Sequence, residues 1–151
     1  MTILSSFIAI LIFAAAGFSQ ASGQIPVKKT PAGDNTSVQR STPAYAEVLL
    51  RRTELGAELE SLLVEYTEDY PKVAEIRFTL ITLQKEGERI LAVKSAESAK
   101  LTLALGKLMV RKSELETDFW RLLKTYKDEH PDVKRAKRKV EIYESAIKEI
   151  L

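Results

Sequence analysis

The residues with the most chemical potential lie close together near the C-terminus. His130 is the sole histidine, set in Asp128-Glu129-His130-Pro131-Asp132. An imidazole flanked by carboxylates could relay a proton or share a metal. The alternative is structural: sixty positions earlier, Glu68-Asp69-Tyr70-Pro71 keeps the acidic pair and the proline but has a tyrosine ring in place of the imidazole. A position that accepts either ring is read as a ring beside a turn. Just beyond it, Lys134, Arg135, Lys137, Arg138 and Lys139 form the densest run of charge. On a helix whose Val133, Ala136 and Val140 face inward, these five cations fall on the outward face. There they suit an anionic glycan or an anionic lipid surface, or else form a solvated face partnered by Glu141 and Glu144.

Other chemistry lacks its residues. The chain has no cysteine, which removes disulfides, thiolate catalysis and a lipid-modified cysteine. No Ser-His-Asp arrangement, glycine-rich phosphate loop or zinc-ligand spacing occurs, and the glutamates are read as outward-facing, so the chain is expected not to be an enzyme and to need no cofactor. Trp120, next to the seam residue Phe119, is expected in a core, packed on the first half of the chain or on a partner. With 23 basic against 21 acidic residues, the chain is charge-dense but balanced, which argues against nucleic acid as a partner.

The elements that hold these residues are written twice. Leu62-Leu63-Val64-Glu65-Tyr66-Thr67-Glu68-Asp69-Tyr70-Pro71-Lys72-Val73 is followed, sixty positions on, by Leu122-Leu123-Lys124-Thr125-Tyr126-Lys127-Asp128-Glu129-His130-Pro131-Asp132-Val133. The offset also relates Arg51, Glu54 and Leu55 to Arg111, Glu114 and Leu115. Each copy reads as a helix, a break marked by proline and a second helix. Thr42 suits an N-cap and Pro43 the first helical position, where its missing N–H is harmless. Tyr45, Val48, Leu55, Leu59, Leu62 and Tyr66 then step in heptad rhythm, with Arg52 in one slot. After the break the rhythm resumes with Val73, Ile76, Leu80, Leu83 and Ile90, and Gly87 fills a slot. The second copy has Leu101, Leu105, Leu108, Leu115, Phe119, Leu122 and Tyr126, then Val133, Ala136, Val140, Tyr143, Ile147 and Ile150.

Because proline disfavours helical geometry at the residue before it, Tyr70 and His130 are expected outside the helices that Pro71 and Pro131 begin. A hairpin is the expected form of each break, with a kinked continuous helix as the alternative, since Tyr66 to Val73 and Tyr126 to Val133 preserve the heptad phase. Tyr66, Tyr70, Pro71, Tyr126, His130 and Pro131 are thus the break residues. The expected fold is all-α, two tandem helical hairpins (residues 43–94 and 95–151) forming an antiparallel coiled-coil bundle or rod. Narrow apolar stripes must find partners, so either the helices pack on one another or the chain meets a protein partner or itself through the heptad seams.

Ahead of the helices, Ile3 to Phe18 is apolar and uncharged, and small residues follow it. Residues 1–23 read as a signal peptide, the span being short of the ~20 apolar residues that cross a membrane, and export to the periplasm or the medium is the expectation. An uncleaved N-terminal tether is the alternative. Residues 24–42, rich in Gly, Pro, Ser and Thr, read as a flexible linker.

The pattern Leu-Leu-x-x-Tyr-x-x-x-His-Pro-x-Val followed by a heptad helix resembles the periplasmic coiled-coil region of the chain-length determinant, or polysaccharide co-polymerase, family. The segment Tyr126 to Val133 carries that pattern with His130, while the first copy departs from it at Tyr70. The resemblance covers the two breaks and their flanking helices, and implies a coiled-coil segment associated with polysaccharide export. The expected function is a non-enzymatic structural or interaction protein of the bacterial cell envelope, accessory to such export. The alternative is a periplasmic holdase chaperone for unfolded envelope proteins.

Overall fold

The computed structural model describes residues 35–151, so the expected signal peptide (residues 1–23) and residues 24–34 of the expected linker lie outside the described residues. The described part is all-α, without a strand. Its elements are α1 (Asn35–Arg40), α2 (Pro43–Glu65), α3 (Pro71–Leu91), a 3-10 segment (Ser95–Lys100), α4 (Leu103–Leu123) and α5 (Pro131–Ile150). No helix among these residues is long and apolar enough to cross a membrane.

Local chemistry sets the ends of each long helix. The Thr42 hydroxyl accepts the Tyr45 N–H, satisfying one of the free donors of the first turn, and Pro43 follows at the first helical position. Sixty residues later, the Thr102 hydroxyl accepts the Leu105 N–H in the same way at the start of α4. Pro71 and Pro131 open α3 and α5, with Tyr70 and His130 in extended geometry just before them. The two breaks share one hydrogen-bond pattern. Tyr66 N–H and Tyr126 N–H donate to the carbonyls of Leu62 and Leu122 at 2.8 Å, and Tyr70 N–H and His130 N–H to those of Thr67 and Lys127 at 3.0 Å.

At both breaks the chain reverses. Gly87 lies beside Val48 and Lys72 pairs with Glu58, which sets α3 antiparallel to α2. Lys112 pairs with Glu144, and Lys100 donates to the Leu151 carbonyl, so α5 runs back along α4. Helix α4 also packs on α2 and α3. It is parallel to α2, since Ala44 N–H donates to the Leu101 carbonyl and Arg51 pairs with Glu114 further along. It is antiparallel to α3, because Thr79 meets Thr117 and Glu86 meets Lys112.

The core runs where these helices converge, with Val48, Ile76, Leu83, Ile90, Leu105, Met109 and Ile147 almost fully enclosed. Each such aliphatic side chain contributes about 1.5–3 kcal/mol on leaving water. With no disulfide, that burial is what offsets the chain entropy of folding. The seam positions at the breaks behave differently: Tyr66 and Tyr126 remain 42% exposed. The segment expected to be flexible linker up to residue 42 is helical over Asn35–Arg40. Gln39 there is buried, and its side-chain amide donates to the Val93 carbonyl at 2.5 Å, tying α1 to the end of α3.

Two glycines separate close approach from plain flexibility. A Cβ on Gly106 would lie 2.9 Å from the backbone of Ala44, so the crossing of α2 and α4 requires glycine there. Gly87, which occupies a heptad slot, would meet only Val48 at an ordinary 3.9 Å, and Gly56 has nothing within 4 Å. Gly106→Ala is therefore expected to lower unfolding stability by about 1–3 kcal/mol through overpacking. Gly56→Ala should raise it by about 0.5–1 kcal/mol by restricting the unfolded chain. Urea denaturation of both variants checks the contrast.

Candidate functional site

Helix α5 carries the five basic residues as the seam pattern implies. Val133 is buried, Ala136 and Val140 are half-buried, and Lys134, Arg135, Lys137, Arg138 and Lys139 are all exposed. Their partners divide them into two groups. Arg135 pairs with Asp132 and Arg138 with Glu141, each one turn away on the same helix. No carboxylate lies within ion-pair distance of Lys134, Lys137 or Lys139 among the described residues. Glu144, expected as a partner for this face, is turned the other way, toward α3 and α4.

The break residues form a matched pair of turns. Tyr66 stacks on Tyr70 with ring centroids 4.2 Å apart, and Tyr126 stacks on His130 at the same distance. His130 Nδ1 accepts the Asp132 N–H at 3.2 Å, so that nitrogen is engaged in capping α5. Its carboxylate neighbour is Asp132, 3.7 Å away, and the described residues contain no cluster of three or more metal-ligating side chains. The ring is thus held against Tyr126 and the first turn of α5; at the other break Tyr70 keeps the stacking but makes no side-chain cap bond.

One charged group is buried where three helices meet. Lys112 of α4 reaches Glu86 of α3 at 2.6 Å, Glu144 of α5 at 3.2 Å and Glu116 one turn along at 3.3 Å. Arg89 closes the cluster, 3.1 Å from Glu144. Glu86 is only 4% exposed, which corrects the expectation that the glutamates all lie on outward faces. Burial works against the Lys112 charge, but the hydrogen bond and attraction of Glu86, with Glu116 and Glu144 behind it, win and raise its pKa. Burial likewise opposes the Glu144 charge, yet Lys112 and then Arg89 hold its carboxyl below the ordinary range.

Beside this cluster, Phe78, Thr82, Lys85, Phe119, Trp120 and Leu123 line a cleft of about 340 Å³ between α3 and α4. Trp120 stacks on Phe78 at 4.8 Å, and the Lys124 ammonium lies 3.6 Å from the Trp120 ring centre. Of the two packing partners expected for Trp120, it meets the first half of the chain. A second groove, of about 330 Å³, runs between α4 and α5 and is lined by residues including Leu115, Arg135, Ala136 and Lys139.

The sequence reading missed Lys112, Glu86, Gly106 and the Thr102 cap. Thr102 carried a usable signal, since it stands sixty positions after Thr42 and before the same helix. Glu86 and Lys112 carried none, because nothing local distinguishes them from solvated charges.

No protein-family model matches the chain, and neither a curated protein nor a solved structure matches it significantly.

The ionic cluster sets the pH behaviour. The contribution of Glu144 is present above its ordinary value of 4.5 and is lost as pH falls through the depressed folded value. That of Lys112 is present below its ordinary value of 10.5 and is lost as pH rises through the raised one. Stability from this cluster should stay level between those ordinary values and fall on the acid side, and Glu144→Gln should flatten that acid limb in thermal melts. Lys112→Met should cost about 3–5 kcal/mol by stranding the Glu86 carboxylate, whereas Lys112→Met with Glu86→Leu should recover most of it. Equilibrium denaturation of the single and double variants measures the difference.

Proposed function

We propose that this chain is a non-enzymatic structural or interaction protein of the bacterial cell envelope, two tandem helical hairpins of coiled-coil type whose α5 face engages an anionic partner. The observation that carries the proposal is the row of open cations on α5, with Lys134, Lys137 and Lys139 exposed and without carboxylate partners among the described residues. Phosphate or carboxylate groups on a glycan or a lipid surface are the ligands whose chemistry fits them. The apolar stretch at Ile3 to Phe18 supports an exported setting, and the resemblance around Tyr126 to Val133 supports an accessory role in polysaccharide export. No catalytic step is assigned. The grooves that line the helices offer stacked rings and ion pairs, and His130 is committed to its turn.

A periplasmic holdase remains the second reading, favoured by the large apolar side chains left exposed on α2, with Leu49 at 46%, Leu50 at 56% and Val64 at 86%. Suppression of the aggregation of an unfolded outer-membrane protein at stoichiometric ratio would support it.

Binding to vesicles of anionic phospholipid and to an acidic polysaccharide, each compared with a neutral counterpart, tests the proposal and separates the two anion sources. Each cation near an anionic surface is worth about 1 kcal/mol, so the triple change Lys134→Gln, Lys137→Gln, Lys139→Gln should weaken binding by roughly two orders of magnitude. The helix should be unaffected, because these side chains are exposed. Absence of binding by the unaltered chain, or binding indifferent to the triple change, would sink the proposal.

A further inference from the structure

The two halves of the chain meet through faces that are not alike. Helix α4 lies in the groove of the α2/α3 pair, parallel to α2, so the second half sits on the first by a displacement along the stack rather than by a two-fold turn. An interface of this kind uses different patches on its two sides and leaves one copy of each patch open at the ends. Both open patches can be read from the sixty-position correspondence.

The docking face of α4 is Gly106, Met109, Ser113 and Thr117, of which the first three are buried against the first half. The matching face of α2 is Ala46, Leu49, Thr53 and Ala57, and all four are exposed. The accepting groove of the first half uses Ala44, Leu55, Ile76 and Thr79. Its counterpart in the second half is Ala104, Leu115, Ala136 and Lys139, and the last three line the open groove between α4 and α5. Ala104 is exposed, whereas Ala44 is completely enclosed.

Charge continues across the same boundary. Arg51 holds its own Glu54 at 3.1 Å and reaches across the junction to Glu114, also at 3.1 Å; Glu114 in turn holds Arg111 at 2.9 Å. The ladder therefore runs Glu54, Arg51, Glu114, Arg111. It ends in an exposed carboxylate on one side of the molecule and an exposed guanidinium on the other, their side chains 52% and 53% open.

We propose that the chain associates head to tail with further copies of itself, the exposed α2 face of one copy entering the α4/α5 groove of the next, so that Arg111 takes up Glu54 of the incoming copy as Arg51 takes up Glu114. At the place where Trp120 stacks on Phe78 inside the chain, the same register sets the incoming Glu60 opposite Arg138. The new junction is looser than the internal one, since Ala46 stands where Gly106 permits backbone contact, so association is reversible and depends on concentration. Because the interface is heterologous it does not close at a dimer, and the assembly extends as a stack of helical pairs. Lys134 and Lys137, which do not line the groove, stay outward along such a stack.

Sedimentation velocity of the full chain over a range of concentrations at low and high salt tests the proposal. The expected result is an average mass that climbs past that of a dimer with rising concentration and falls at 0.5 M salt (a Debye length of about 4 Å). Glu54→Arg and Arg111→Glu should each weaken association by about tenfold, the scale of replacing an attractive interfacial pair by a repulsive one. An equimolar mixture of the two should restore it, because Arg at 54 faces Glu at 111 in one junction and the native pair faces itself in the next. Circular dichroism of each variant confirms that these exposed changes leave the helices folded. A monomer at every concentration, a closed dimer, or association that survives both reversals or is not restored by mixing would overturn the proposal.

Discussion

Helix α4 has to satisfy three neighbours at once, and that constraint organises the described structure. A helix with one narrow stripe can pack on one partner, but α4 touches α2, α3 and α5 and so must bury residues around most of its circumference. Gly106 makes room on the side of α2, and Leu105, Met109, Ser113 and Leu115 are buried. At the remaining position, where α3, α4 and α5 converge, the residue is Lys112. Its ammonium is tolerated only because carboxylates arrive from α3, α5 and its own helix within 2.6 to 3.3 Å. A buried ion pair of this kind adds little to stability over an apolar replacement of the same shape, but its loss on one side is severe. An arrangement that left any one of these charges buried without its partners would carry that cost.

The halves of the chain use identical local devices for different ends. A threonine caps the first helix of each, a proline opens the second, and two stacked rings close the turn between them. The divergence lies in the faces. The α3 face that carries Phe78, Thr79 and Glu86 is covered by α4, whereas its counterpart on α5 carries Arg138, Lys139 and Ala146 and has no helix over it among the described residues. A covered face has become aromatic and hydrogen-bonded, and an uncovered one cationic. Charge along that exposed helical face stays solvated at little cost, whereas a charge placed under a neighbouring helix needs partners such as those around Lys112.

Much of the organisation was legible in the residues. Thr42-Pro43 marked a helix start, Pro71 and Pro131 marked two more, and the heptad rhythm of all four stretches, which includes Val48, Leu55, Ile76, Leu83, Ile90, Leu101, Leu105 and Ile147, named most of the core, since an apolar period of three and four residues reports which side of a helix must leave water. The rings at Tyr70 and His130 were legible as turn residues because two different side chains shared one position. Apart from the Thr102 cap, what escaped depended on a neighbour distant in sequence. Residues 35–40 read as linker by composition, yet the buried Gln39 donates to the Val93 carbonyl just past the end of α3 and to the Ser95 hydroxyl, which ties the short helix to residues more than fifty positions away.

The sequence by itself therefore determined where α2, α3 and α5 begin, which stripe of the long helices is apolar, and that one twelve-residue phrase recurs sixty positions on, because capping, proline geometry and periodicity act within a few residues. Only the tertiary structure decided that the second unit lies in the groove of the first in parallel, that Gly106 is the point of backbone contact, and that Lys112 is enclosed while Lys134 and Lys137 are open. A lysine has the same helical propensity in either place. Its fate rests on which helices come to lie beside it, and that is settled by packing between elements rather than by the order of residues along any one of them.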